Sequence, residues 1–213
     1  MAKSVYSIVL DDQIVEAVDA FAGRCGLSRS AAINHILAQH VQMDTPRQQM
    51  QQVFAALEEM AKGTALQLLS ASQAQMQLRS PLQYKYNPTL RYQIELYPED
   101  DNLIGVLRVS MRTQNQRLVA CLEEFYHLWA MMEKETVYQP HQVRFQIENG
   151  RFARLLRRLP QECCAQQTGE ILAAYTDLFD RCLKAFFQNP DKVGAKQAEQ
   201  LYQQGLQQPM LFL

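Results

Sequence analysis

Between Lys3 and Leu10, in the stretch KSVYSIVL, side chains of two kinds alternate: Tyr6, Ile8 and Leu10 fall on one parity, and Lys3, Val5, Ser7 and Val9 on the other. Successive strand residues point to opposite faces, so the spacing predicts a strand over 3–10 whose larger set faces a core. The period then lengthens. Ile14, Val18 and Phe21, with Val15 and Ala22 alongside, mark one face of a helix that Asp11 can cap and Gly26 can stop. Ser28 is placed to cap a second helix, with Ile33, Ile36, Leu37 and Val41 as its buried face. Asp44, Thr45 and Pro46 restart the chain into a third helix carrying Met50, Val53, Phe54, Leu57 and Met60 and ending near Gly63. This places a domain boundary near residue 45, giving 1–44 and 45–213.

Beyond the third helix, QAQMQLRS (73–80) and LRYQIELY (90–97) alternate with period two, and LIGVLRVSMR (103–112) follows the acidic loop PEDDN. These predict a small antiparallel meander with one buried face. A long helix is expected from Gln116 to Glu135, and helical patterns recur over Gln161–Gln188 and Lys192–Gln207. VRFQIENG (143–150) fits either a strand or the start of the next helix. The C-terminal region therefore reads as α+β with a helical majority. Its closing residues PMLFL read as a strap on the domain or a subunit contact, because a free apolar tail invites aggregation.

A lone strand at residues 3–10 needs a partner for its backbone N–H and C=O groups, and none lies nearby in the sequence. Strand, helix, a G-L-S-R-S junction at 26–30 and a second helix resemble, over residues 3–43, the ribbon-helix-helix family of DNA-binding proteins, the group of the Arc and methionine repressors. The resemblance implies an obligate homodimer, with room for a higher oligomer, in which the strands of two chains pair antiparallel across a twofold axis. It also implies a partner, double-stranded DNA, whose major groove admits a two-stranded ribbon. Carried onto this chain, the groove-facing positions are Lys3, Val5, Ser7 and Val9. The phosphate-facing helix start is Ser28, Arg29 and Ser30, where unpaired amides and the helix dipole favour an anion. Two valines and one serine on the ribbon cannot read much by hydrogen bonding, which shifts the weight to Ser7, Lys3 and DNA shape.

With 47% apolar and 20% charged residues the chain can build a core, and its net charge of −1 (−2 over residues 1–44) lacks the bulk basic signature of a strong nucleic-acid binder. The 28 glutamines form no tract and read as solvated faces. The basic cluster RFARLLRR sets Arg151, Arg154 and Arg158 at helical spacing, with Arg157 beside them; it reads as a solvated helix face, or as a contact to flanking DNA or an acidic partner.

The opening MAKSVYSIVL has no apolar run of signal-peptide length, no segment reaches membrane-span length, and five cysteines with the adjacent pair Cys163–Cys164 read as reduced thiols; together these point to a cytoplasmic protein. His35 and His40 are spaced five apart, and His127 and His141 lack companions, so no metal site is expected. No enzyme or cofactor motif is present. The aromatic residues Tyr84, Tyr86, Tyr92, Tyr97, Phe125, Tyr126 and Trp129 read as core ahead of an effector pocket.

The function expected is a sequence-specific DNA-binding transcriptional regulator of the repressor kind, with a C-terminal domain favouring association between dimers over effector sensing. The alternative is an antitoxin-like or scaffold protein that dimerises through the ribbon unit and binds a protein partner through residues 45–213.

Overall fold

The change of period at residue 11 marks the first helix. In the computed structural model, which describes residues 5–40, 44–84, 87–137, 143–159, 163–190 and 192–213, α1 spans Asp12–Cys25 and α2 spans Arg29–His40. Asp11 is extended at the N-cap, but its side chain makes no capping bond. Gly26 ends the helix in the left-handed conformation, with φ 63°. Ser28 Oγ accepts from Ala31 N at 3.3 Å and so caps α2. The two helices meet through Val18, Ala22 and Ala32, flanked by Phe21, Leu27 and Ile33.

This contact is smaller than the sequence pattern predicts. Ile14, Ile36 and Leu37, expected on buried faces, are exposed, and Val41 lies outside the described residues. The strand expected over 3–10 is not formed either: residues 5–11 carry no regular structure, and Lys3 lies outside the described residues. A strand exists only where a neighbour accepts its hydrogen bonds, and a single chain supplies none here.

The chain divides into two compact units, Met1–Gln49 and Met50–Leu213, so the division falls within α3 (Pro46–Ala61) rather than ahead of it. A reciprocal cap starts α3: Thr45 N donates to Gln48 Oε1 at 2.8 Å and Gln48 N to Thr45 Oγ1 at 3.3 Å.

The second unit is α+β. Its six strands are β1 (Gln67–Ala71), β2 (Gln75–Pro81), β3 (Thr89–Leu96), β4 (Leu103–Met111), β5 (Phe145–Glu148) and β6 (Arg151–Arg157). They form one antiparallel sheet in the order β1-β2-β3-β4-β6-β5. The predicted meander is its β2–β3–β4 centre. Registers align Leu78, Tyr92, Val109, Phe152 and Ile147 in one row across the sheet, and Met76, Ile94, Leu107, Arg154 and Phe145 in the next. This face is buried by α4 (Gln116–Thr136), α5 (Ala165–Gln188) and α6 (Lys192–Gly205) together with part of α3.

Its centre is aromatic, with Phe179 lying 4.7 Å from Trp129, 5.2 Å from Phe152 and 5.3 Å from Phe125 between ring centroids. Tyr92, Phe125, Tyr126 and Trp129 are thus core residues; Tyr84 packs edge-on to Phe187, and Tyr86 lies outside the described residues. PMLFL closes the unit as a 3₁₀ turn, Gln208–Phe212, that buries Met210 and Leu213, so this apolar end is a strap on its own domain and not a free surface for contacts between dimers. On the sheet's first edge, all five residues of β1 are exposed, and the register shifts between Leu68 and Ser70.

The helical reading of RFARLLRR is corrected. Residues 145–157 form the hairpin β5–β6, turned by Asn149 (φ 52°) and Gly150 (φ 67°), both in the left-handed region that a tight two-residue turn demands. In a strand the arginines separate by parity: Arg154 faces the core, while Arg151 and Arg157 face the opposite side. They do not make a common helical patch.

Candidate nucleic-acid interface

The N-terminal site residues divide into a ribbon segment and a helix start. Val5 (100% exposed), Val9 (102%) and Ser7 stand fully in solvent, and Ile8, on the parity expected to face a core, is itself 58% exposed. Val5, Tyr6, Ile8 and Val9 are therefore largely uncovered, whereas Leu10 is half-buried. At the start of α2, the Ser28 hydroxyl accepts from the amide of Ala31, and Arg29 and Ser30 lie in the first turn, whose amides have no preceding turn to donate to.

The Arg29 side chain is already engaged. Its Nε donates to Asp19 Oδ1 at 2.7 Å and its Nη2 to Asp19 Oδ2 at 2.5 Å, a bidentate pair joining α2 to α1. That pair holds the Asp19 carboxyl below its usual range. Arg29 thus joins the helix pair with its guanidinium. The partner of Arg29 was not visible in the sequence, because Asp19 reads there as one more surface acid.

Two polar clusters inside the second unit escape any reading by spacing. In the first, Arg154 (0% exposed) donates from Nε to Glu133 Oε2 at 2.8 Å and from Nη2 to the Leu213 carbonyl oxygen at 2.9 Å. Tyr175 Oη donates to Glu133 Oε1 at 2.6 Å and accepts from Trp129 Nε1 at 3.1 Å. Burial alone pushes the Glu133 carboxyl up, and Arg154 opposes it. With a guanidinium and a phenol both donating to it, Glu133 is the carboxylate of a charged pair. Arg154 Nη1 has no partner among the described residues. In the second cluster, Asp180 of α5 accepts from Ser80 Oγ at 3.0 Å, Tyr92 Oη at 2.8 Å and Lys184 Nζ at 2.6 Å, and Lys184 also donates to Ser80 Oγ at 2.6 Å. Ser80 is fully buried and its neighbouring amine is tied to a carboxylate, so the serine–lysine pair is a structural tie across sheet and helix and not an accessible nucleophile.

One open cavity of about 430 Å³ lies where the β3–β4 loop meets the end of β6, lined by Asp100, Asp101, Arg144, Leu155, Arg157 and Arg158. Arg158 donates to the Asp100 carbonyl oxygen through Nε at 3.1 Å and through Nη2. The Asp100 carboxylate accepts from the amides of Asn102 (2.8 Å) and Leu103 (2.9 Å), which hold its pKa low. Among the described residues no group of His, Cys, Asp or Glu is arranged to hold a metal ion, and no helix is long and apolar enough to cross a membrane. All five cysteines are free thiols. No family model, curated protein or solved structure matches the chain.

Proposed function

We propose that the protein is a DNA-binding transcriptional regulator, of repressor type, that acts as a dimer through its first forty or so residues. The observation that carries this reading is the exposed apolar surface of the N-terminal unit: Val5, Tyr6, Ile8 and Val9 together with Ile14, Ile36 and Leu37. Only Val18, Ala22 and Ala32 are buried between α1 and α2, and a segment of about forty residues rarely sustains a fold on so little without metal, disulfide or a second chain. A second copy answers both deficits. Its strand supplies the missing hydrogen bonds to residues 3–10, and its helices cover the exposed isoleucines and leucine.

Once paired, the ribbon presents Lys3, Val5, Ser7 and Val9 to the major groove, and the amides of Arg29 and Ser30 at each α2 start take a backbone phosphate. Ser28 shapes that start as its cap. With few hydrogen-bonding side chains on the ribbon, discrimination rests on Ser7, methyl contacts and DNA shape.

Selection from random duplex DNA at low salt tests the function. Enrichment of a palindromic site, weakened when Ser7 is replaced by Ala, is the expected result. A chain that sediments as a monomer at micromolar concentration, or enriches no site, overturns it. Co-purification of a stoichiometric second protein in place of DNA would favour the antitoxin-like or scaffold reading.

A further inference from the structure

Arginines distant in the sequence meet on one surface of the second unit. Along β2, β3, β4 and β6, the residues that alternate with the core-facing set include Arg79, Arg91, Arg108, Arg151 and Arg157, and Arg144 lies beside them, where its carbonyl oxygen accepts from Leu155 N at the start of β5. Glu95 and Glu148 are the acidic residues of the same parity within the paired strands. Much of the rest is glutamine, serine or threonine, among them Gln75, Gln77, Gln93, Ser110 and Gln146. Within the paired strands five cations stand against two anions, and at one end Arg144 and Arg157 share a cavity with Asp100 and Asp101, so the positive excess is concentrated on Arg79, Arg91 and their neighbours although the whole chain carries −1.

The charges are poorly neutralised. Arg108 pairs with Glu95 at 2.6 Å. Arg79 has only the neutral Gln67 Oε1, at 3.1 Å. Arg157 has a partner, and Arg151 stands opposite Glu148 in the register. The guanidinium groups of Arg91, Arg144 and Arg151, all on exposed residues, form no hydrogen bond or ion pair at bonding distance among the described residues. The register also sets Arg79 directly opposite Arg91. Like charges facing across an antiparallel pair destabilise it, and here no carboxylate relieves them. A surface that breaks a local rule with no compensation inside the fold points to a ligand outside it.

We propose that this sheet face binds the phosphodiester backbone of double-stranded DNA. The argument is charge complementarity together with what the face lacks. Within the paired strands this face carries no aromatic side chain, and the one ring of the same parity just beyond β3, Tyr97, is engaged with Arg108, so the face offers no row of platforms for stacking unpaired bases. It offers guanidinium forks spread over several strands, with about 4.8 Å between neighbours, so that Arg91 and Arg151, two strands apart, stand about 10 Å from each other, on the scale of the grooves between phosphate ridges. Guanidinium forks match phosphate oxygens in pairs, and glutamine amides add neutral donors. The contact carries no sequence information; it raises affinity for any duplex. It extends the regulator reading by giving the same nucleic acid a second, non-specific surface, but its test is separate.

The full-length triple variant Arg79→Gln, Arg91→Gln, Arg151→Gln is compared with the native chain on a random duplex and on the site enriched by selection, across a salt series. The expected result is weaker binding to both, with the slope of log affinity against log salt reduced by about 2–3, one for each lost phosphate contact, and the preference for the selected site unchanged. Removing the Arg79–Arg91 repulsion should meanwhile raise the melting temperature by about 1–3 °C, which shows that lost binding is not lost fold. An unchanged slope in the variant, while the native chain still prefers its selected site, overturns the sheet-face proposal and leaves the ribbon reading standing. Salt-dependent binding that the variant loses, in a chain that enriches no site, supports the sheet face and overturns the ribbon reading. Tighter binding to an acidic polypeptide or to single strands than to duplex, lost in the same variant, overturns the assignment to duplex DNA.

Discussion

Helix α1 and helix α5 are both amphipathic, yet α1 presents Ile14 to solvent whereas the apolar stripe of α5 is covered from Leu172 to Phe187. The difference lies in what each stripe meets. Helix α5 lies in a layer over a six-stranded sheet, and its Phe179 contacts rings from both β6 and α4. Helix α1 meets one short helix and buries two residues of its own. Amphipathicity states that a face wants cover; it does not say whether the cover belongs to the same chain. In the second unit the cover is internal. In the first, on the reading proposed here, it belongs to a second molecule.

Substitutions in each region can break this contrast. The largest expected effect is from Ile8→Asp, which would place an unpaired carboxylate in the shared core of the proposed dimer twice, once per protomer, at several kcal/mol each. Sedimentation should show a monomer with the N-terminal helices lost, while the unfolding transition of the second unit stays where it was. A variant that remains dimeric would mean that residues 5–10 do not form the shared core.

In the second unit, Glu133→Ala strands the Arg154 guanidinium in the core and should cost about 3–5 kcal/mol in denaturant unfolding without changing the oligomeric state. Replacing both partners with apolar residues, Glu133→Met with Arg154→Leu, should recover most of that loss. Gly169→Val is a smaller blow. A Cβ there would sit 2.3 Å from the Val53 carbonyl oxygen and 2.8 Å from Ala56 Cβ, so α3 and α5 must part, at about 1–3 kcal/mol.

The smallest effect is a titration. The Asp100 carboxyl is held below its ordinary value of 3.8 by the amides of Asn102 and Leu103. A depressed pKa in the folded state gives stability that is complete above 3.8 and is lost as pH falls through the lower folded value. The amide resonances of Asn102 and Leu103 should therefore titrate with a midpoint below 3.8, and in the N-terminal unit the Asp19 carboxyl, held down by Arg29, should likewise titrate below its ordinary value.

Much of the second unit was legible because its signals are local and redundant. Strands β2 and β3 of the meander alternate cleanly, β4 is a near-continuous apolar run, and α4, α5 and α6 show the helical period over several turns. The misreading of 151–158 has an equally local cause: Arg151, Arg154 and Arg158 happen to fit a helical spacing, but Phe152, Arg154 and Leu156 also alternate, and Asn149–Gly150 ahead of them is a strong hairpin signal that decides between the two. The partners Glu133 and Arg154 were beyond reach, since they lie on α4 and β6 and meet only after the sheet closes. The arginines of the sheet face were hidden for the same reason. Charge counted along the chain averages them away; charge counted across strands gathers them. At the N-terminus the order of residues was clear, but the surface that completes them does not lie within one chain.

The irregular first strand has a consequence for life in a concentrated solution. β1 leaves an open edge, with Leu68 and Leu69 exposed, and an open apolar edge invites further strands to join end on end into aggregates. The register shift between Leu68 and Ser70 breaks the straight run of hydrogen-bonding groups that a newcomer would need. The far edge is defended by brevity, β5 being only four residues long. A sheet so bounded can remain finite, and the bulge that looks like a flaw in pairing is what keeps its leucines from becoming a seed.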